Sequence, residues 1–234
     1  MPSVTHDSIE ATAIARADQD CSVSRALSQG LGLPLTALRA TVESLGHELR
    51  GGPVRCPSRR IDGVLQEMER LDRNVGELIA LATAPVPRPL RCTLAELVHA
   101  ARMELGPAQA ARVVVAQATG HESLLVDGPL LSSCLRRLLE NALEAGSEHV
   151  LVVARLERSA ASFSVIDDAP SAFGPDWKPV PFRSTKPNHL GLGLVLAHRD
   201  VALLNGRLEF LSTPGGETCV RITIPAPSFE EEER

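Results

Sequence analysis

The chain has no tyrosine, and aromatic residues make up only 3% of its 234 residues. Proteins that hold single-stranded nucleic acid stack its bases on aromatic side chains, so that class is excluded. Basic charge is also short: 24 Lys and Arg stand against 29 Asp and Glu, a net charge of −5. That is the wrong sign for a phosphate-backbone partner, and no nucleic acid is expected. No run approaches the roughly 18 apolar residues of a membrane-spanning helix, so membrane insertion is not expected either. The first twenty residues carry acids and no apolar core, unlike a secretory leader. Cys21, Cys56, Cys92, Cys134 and Cys219 are odd in number, far apart and without C-x-x-C spacing. They fit reduced thiols, not a disulfide framework or zinc site, and the expected location is the cytoplasm.

What remains is an ordinary globular composition, 44% hydrophobic and 23% charged, in a chain long enough for one domain plus a smaller one. Residues 1–20 are polar and unpatterned. In 21–84, Leu27, Leu31, Leu38, Val42, Leu45 and Leu49 fall on one helical stripe. After Gly51-Gly52-Pro53, the series Ile61, Val64, Met68, Leu71, Val75, Leu78 and Ala82 forms a heptad seam. Two such helices make a hairpin, and dimerising it closes a four-helix bundle that buries both stripes. Residues 85–89 are a stiff, proline-rich linker.

Residues 90–226 read differently. Strands are expected at Arg112–Gln117, Ser123–Val126, His149–Leu156 and Ser162–Ile166, with helices over Leu94–Leu105 and from Asp127-Gly128-Pro129 through Asn141. Asn205-Gly206 stops a further helix, and Gly215-Gly216 turns a hairpin between Arg207–Ser212 and Thr218–Ile224. Strands grouped with interspersed helices give a mixed sheet with helices on one face, a two-layer α/β sandwich. The class is therefore α+β: a helical hairpin followed by this sandwich. Residues 227–234 are an acidic, solvated tail.

Three blocks in the second part carry the chemistry. LRRLLENALEAG (135–146) is an amphipathic helix bearing Asn141. SVIDDAPS (164–171) is a strand ending at Asp167. PFRSTKPNHLGLGLVLA (181–197) is a Lys-containing loop that meets a helix through Gly191 and Gly193. Glycines let backbone approach a ligand closely, and a helix N-terminus favours phosphate oxygens. In this order the blocks resemble the ATP-binding domain of sensor histidine kinases, the fold shared with gyrase, Hsp90 and the mismatch-repair ATPases. The resemblance implies ATP or ADP with Mg²⁺ as cofactor. It assigns Mg²⁺ to Asn141, the adenine amino group to Asp167, the phosphates to Gly191 and Gly193, and the terminal phosphate to Lys186.

The hairpin resembles that family's dimerisation helices as well. Pro34-Leu35-Thr36-Ala37-Leu38-Arg39 matches the second half of the phosphoacceptor motif. Gln29 stands where the acceptor histidine belongs, and Gly30 where its acidic helper does. An amide nitrogen delocalises its lone pair into the carbonyl and is no nucleophile, so no transfer to this position is expected. His47-Glu48-Leu49-Arg50 spells the reactive half by itself, but glycines and proline follow it where the helix ends. His47 is therefore read as a solvent-facing residue.

The nucleotide blocks depart from the family at four points. Arg137 stands one turn before Asn141, where the family carries asparagine or a carboxylate base; it is read either as standing in for Mg²⁺ charge or as a surface arginine lying along its helix. Ala169 and Ser171 replace two turn glycines, and His189 replaces the first glycine of the phosphate loop. His189 and His198 lack a third ligand at metal spacing. Glu140 and Glu144 are read as a solvated helix face, Asp168 as a turn residue and Trp177 as a cover over the lid. The expectation is a degenerate histidine kinase of a bacterial two-component pathway. It would form a homodimer and bind a response regulator receiver domain or a partner histidine kinase through its bundle. The alternatives are an active kinase that phosphorylates a partner or His47, and an anti-sigma-type serine kinase.

Overall fold

The structure is a computed structural model. It describes residues 57–118, 123–157, 159–170, 173, 177–186, 189–213 and 215–226, and isolated positions between 31 and 43. Gln29, His47, Ser171, the first twenty residues and the acidic tail lie outside the described residues. The chain divides into two compact units, Met1–Thr83 with Val180–Leu192, and Ala84–Pro179 with Gly193–Arg234.

In the first unit, α1 (Pro57–Ala82) is a helix of 26 residues. Proline suits its first turn, where an N–H has no helical partner. The expected seam is divided. Val64, Leu71 and Leu78 are half-buried, whereas Ile61, Leu65, Met68, Val75 and Ile79 are between 45% and 60% exposed. Within one chain, alternate positions of the seam are half-buried and exposed. Asn74, on the covered side, is 2% exposed.

The second unit begins with β1 (Leu90–Thr93), α2 (Leu94–Met103) and α3 (Pro107–Ala110). Then come β2 (Val113–Ala118), β3 (Ser123–Val126), α4 (Gly128–Glu144), β4 (Val150–Leu156) and β5 (Ala160–Pro170). The order closes with α5 (Gly193–Leu203), β6 (Arg207–Ser212) and β7 (Glu217–Pro225). Five strands form a sheet in the order β2-β4-β5-β7-β6, while β1 and β3 pair separately. β2 runs parallel to β4, and every other neighbour is antiparallel. The sheet is mixed.

Period-2 burial shows which face is the core. Val150, Val152 and Ala154 of β4 and Ala161, Phe163 and Val165 of β5 are at most 1% exposed. Leu94, Leu97, Val98, Leu131, Leu135, Leu138, Ala197 and Val201, from α2, α4 and α5, join them in one cluster. Burial of this many apolar groups is the main stabilising contribution, roughly 1.5–3 kcal/mol for each large side chain. The helix layer on one side of the sheet fixes the end of β5 beneath α4.

Candidate nucleotide site

Asn141 owes its place to a well-anchored helix. Asp127 caps α4: one carboxylate oxygen accepts from Leu130 N–H at 2.9 Å, the other from Arg88 N–H at 2.7 Å. A cap of this kind contributes about 1 kcal/mol. Leu131, Leu135, Leu138, Leu139 and Ala142 form the buried stripe, leaving Asn141 half-buried at its margin. Arg136 tethers the same helix to Glu104 at 2.9 Å and pairs one turn on with Glu140 at 2.7 Å. Glu140 is thus held in an ion pair, while Glu144 is exposed. Arg137 is half-buried and its Nε is enclosed.

Asp167 continues the inward-facing series Ala161, Phe163, Val165 and is 5% exposed. Its Oδ1 accepts from Ser147 Oγ at 3.3 Å and from Ala169 N–H at 3.0 Å. Across the ladder Asp167 faces Thr218 of β7, whose hydroxyl donates to the Ala169 carbonyl at 3.1 Å. Asp167 is a candidate from its motif, whereas Ser147 and Thr218, which lie beside it and Ala169, are not. Their roles arise from a helix stop and a strand register that no local motif announces. Asp168, expected in a turn, is an exposed residue of β5, which runs on to Pro170 through an irregularity in its pairing with β7.

The Val180–Leu192 loop belongs to the other compact unit and has its own geometry. Ser184 Oγ accepts from Lys186 N–H at 3.0 Å and donates to the Lys186 carbonyl at 3.2 Å, closing a tight turn around the candidate lysine. Phe182 (φ 61) and Gly191 (φ 69) both adopt left-handed backbone, rare for a bulky residue and free for glycine. Gly193 is the first residue of α5 and belongs with Asn141 and Asp167. Trp177, expected over the lid, packs instead with Phe173 at 4.5 Å and with Phe210 of β6 at 4.6 Å.

Among the described residues no group of three or more His, Cys, Asp and Glu could hold a metal ion. An amide oxygen on a helix margin, a buried carboxylate with preset hydrogen bonds and a helix N-terminus starting at glycine suit a Mg-nucleotide.

Residues 126–228 match the profile of the Histidine kinase-, DNA gyrase B-, and HSP90-like ATPase family. These residues form a domain of that family, and the chain is similar to curated proteins named as sensor proteins and as sensor histidine kinases. Sensor protein KdpD of Mycobacterium tuberculosis is 29% identical over 93% of this chain and 27% of its own length. Sensor histidine kinase MtrB of Mycobacterium leprae is 26% identical over 96% of this chain and 46% of its own. The chain thus spans between about a quarter and a half of these two relatives. The structure of Acinetobacter baumannii histidine kinase AdeS superposes with a TM-score of 0.65 and 17% identity, covering 85% of this chain and 98% of that one. The fold is that of histidine kinases. No described helix is long and apolar enough to cross a membrane.

Proposed function

We propose that the chain is a degenerate histidine kinase of a two-component pathway. It binds adenine nucleotide and does not phosphorylate itself at the usual helix position. The supporting observation is Gln29, which stands at the acceptor position upstream of the matching Pro34–Arg39 segment. Its amide cannot attack a phosphorus atom. Asp167 would accept the adenine amino group, Asn141 would face the nucleotide's Mg²⁺, and Gly191, Gly193 and Lys186 would face the phosphates. Bound Mg-nucleotide would supply an electrophilic terminal phosphate. Arg137 provides no carboxylate base one turn before Asn141, so water activation is absent as well.

Output then comes from binding. Two copies of the hairpin form a four-helix bundle in the cytoplasm, and a receiver domain or partner kinase docks on it. The exposed apolar face of α1 supports this dimer. The test is incubation of the full chain with ATP labelled on its terminal phosphate. No label on the protein is expected. Acid-labile label lost in His47→Ala would instead establish an active kinase acting at His47-Glu48-Leu49-Arg50. Acid-stable label passed to a serine of a partner would establish the anti-sigma-type reading.

A further inference from the structure

Gly146 adopts left-handed backbone (φ 99) just beyond α4, and the next residue, Ser147, is turned inward to 1% exposure. The Ser147 hydroxyl and the Ala169 N–H both donate to Asp167 Oδ1, at 3.3 and 3.0 Å. Ser147 is itself held through its backbone. The Arg112 guanidinium donates from Nη2 to the Ser147 carbonyl and from Nε to the Glu148 carbonyl, the latter at 3.2 Å. Arg112 is fixed in turn, because its own carbonyl accepts from Val150 N–H at 3.0 Å. The turn after α4 and the end of β5 therefore meet on one carboxylate oxygen, and Arg112, just before β2, braces that turn through its carbonyls.

Two donors on one oxygen hold a carboxylate in a single rotamer and a single plane. A group already fixed in its working geometry loses little freedom when a ligand binds. A buried polar group shaped for one partner also rejects an analogue that lacks it, because the group is then left unmatched. We propose that Ser147, braced by Arg112, is a positioning residue that orients Asp167 to read an exocyclic amino group. The ligand it selects is a 6-aminopurine nucleotide over a 6-oxopurine one. The proposal rests on the nucleotide reading of Asp167 given above.

The test is calorimetric titration of the full chain with Mg-ATP and with Mg-ITP, which carries an oxo group in place of the amino group. The wild type prefers ATP. In Ser147→Ala, ATP binds about tenfold more weakly, ITP binds as before, and the preference shrinks by the same factor. Arg112→Lys moves the ratio in the same direction, since a compact ammonium lacks the rigid planar fork whose Nε and Nη2 hold both carbonyls. Thermal melting of each variant reports whether it is folded. If Ser147→Ala does not fold, Arg112→Lys decides, and an unchanged ratio there overturns the proposal. Equal weakening of ATP and ITP would make Ser147 a structural residue only. ATP binding that Asp167→Asn abolishes but Ser147→Ala leaves untouched overturns the positioning role alone. Absence of ATP binding in the wild type overturns both this role and the nucleotide reading.

Discussion

Gly191 lies so close to Arg183 that a Cβ at position 191 would stand 2.3 Å from the Arg183 carbonyl oxygen. The obstacle is backbone, so no change of rotamer relieves it, and the φ of 69° disfavours a side chain independently. Gly191→Ala is expected to lower Mg-ATP affinity by at least about tenfold, or ~1.4 kcal/mol. Gly215→Ala is the control: its added methyl group meets nothing closer than 3.7 Å, and affinity should not change. Calorimetry on the two variants checks the contrast.

Val75 and Ile79 lie one turn apart on the exposed face of α1, at 45% and 60% exposure. Burying such side chains contributes roughly 1.5–3 kcal/mol each, and a dimer buries both copies. The double variant Val75→Glu, Ile79→Glu should raise the dimer dissociation constant by more than about a hundredfold. Sedimentation velocity should show a dimer for the wild type and a monomer for the variant, with unchanged far-UV circular dichroism.

Phe173, Trp177 and Phe210 form an aromatic trio with ring centroids between 4.5 and 4.9 Å apart. Trp177 is the only tryptophan, so its fluorescence reports on this cluster alone. Phe210→Ala should shift its emission to the red and destabilise the domain by about 1–3 kcal/mol, read from urea denaturation.

Helices and strands were largely legible because their apolar periods are strong. α1 starts at Pro57 and ends at Ala82, where the periodicity and the prolines after it placed its ends. The core face of β5 follows from alternation, and alternation carries Asp167 inward. What escaped was information that depends on chain segments meeting. Heptad spacing outlines the α1 seam but does not say which neighbour covers each of its residues. Ser147 and Thr218 look like ordinary loop and strand residues until the register sets them beside Asp167 and Ala169. Trp177 gave no local sign that β6 would supply its partner.

Cys134 is fully buried, and that burial pushes its thiol from the ordinary 9.0 up to about 12. The nearby Asp200 carboxylate adds to the rise, while Arg137 and Arg199 oppose it. Iodoacetamide at pH 8 should leave Cys134 unmodified in the native protein and alkylate it in urea, as peptide mass spectrometry will show. The sign of the linkage is set by the raised folded value. The contribution to stability is fully present below 9.0 and falls as pH rises toward about 12. The urea midpoint should therefore decline above pH 9, and Cys134→Ala should flatten part of that decline.

The central claim is that this chain keeps an adenine-nucleotide site centred on Asp167 and Asn141 despite Arg137, Ala169, Ser171 and His189. Titration of the purified chain with Mg-ATP, beside Asp167→Asn, tests it most directly. Micromolar binding that disappears in Asp167→Asn is the result this account predicts. No heat at millimolar nucleotide would contradict it.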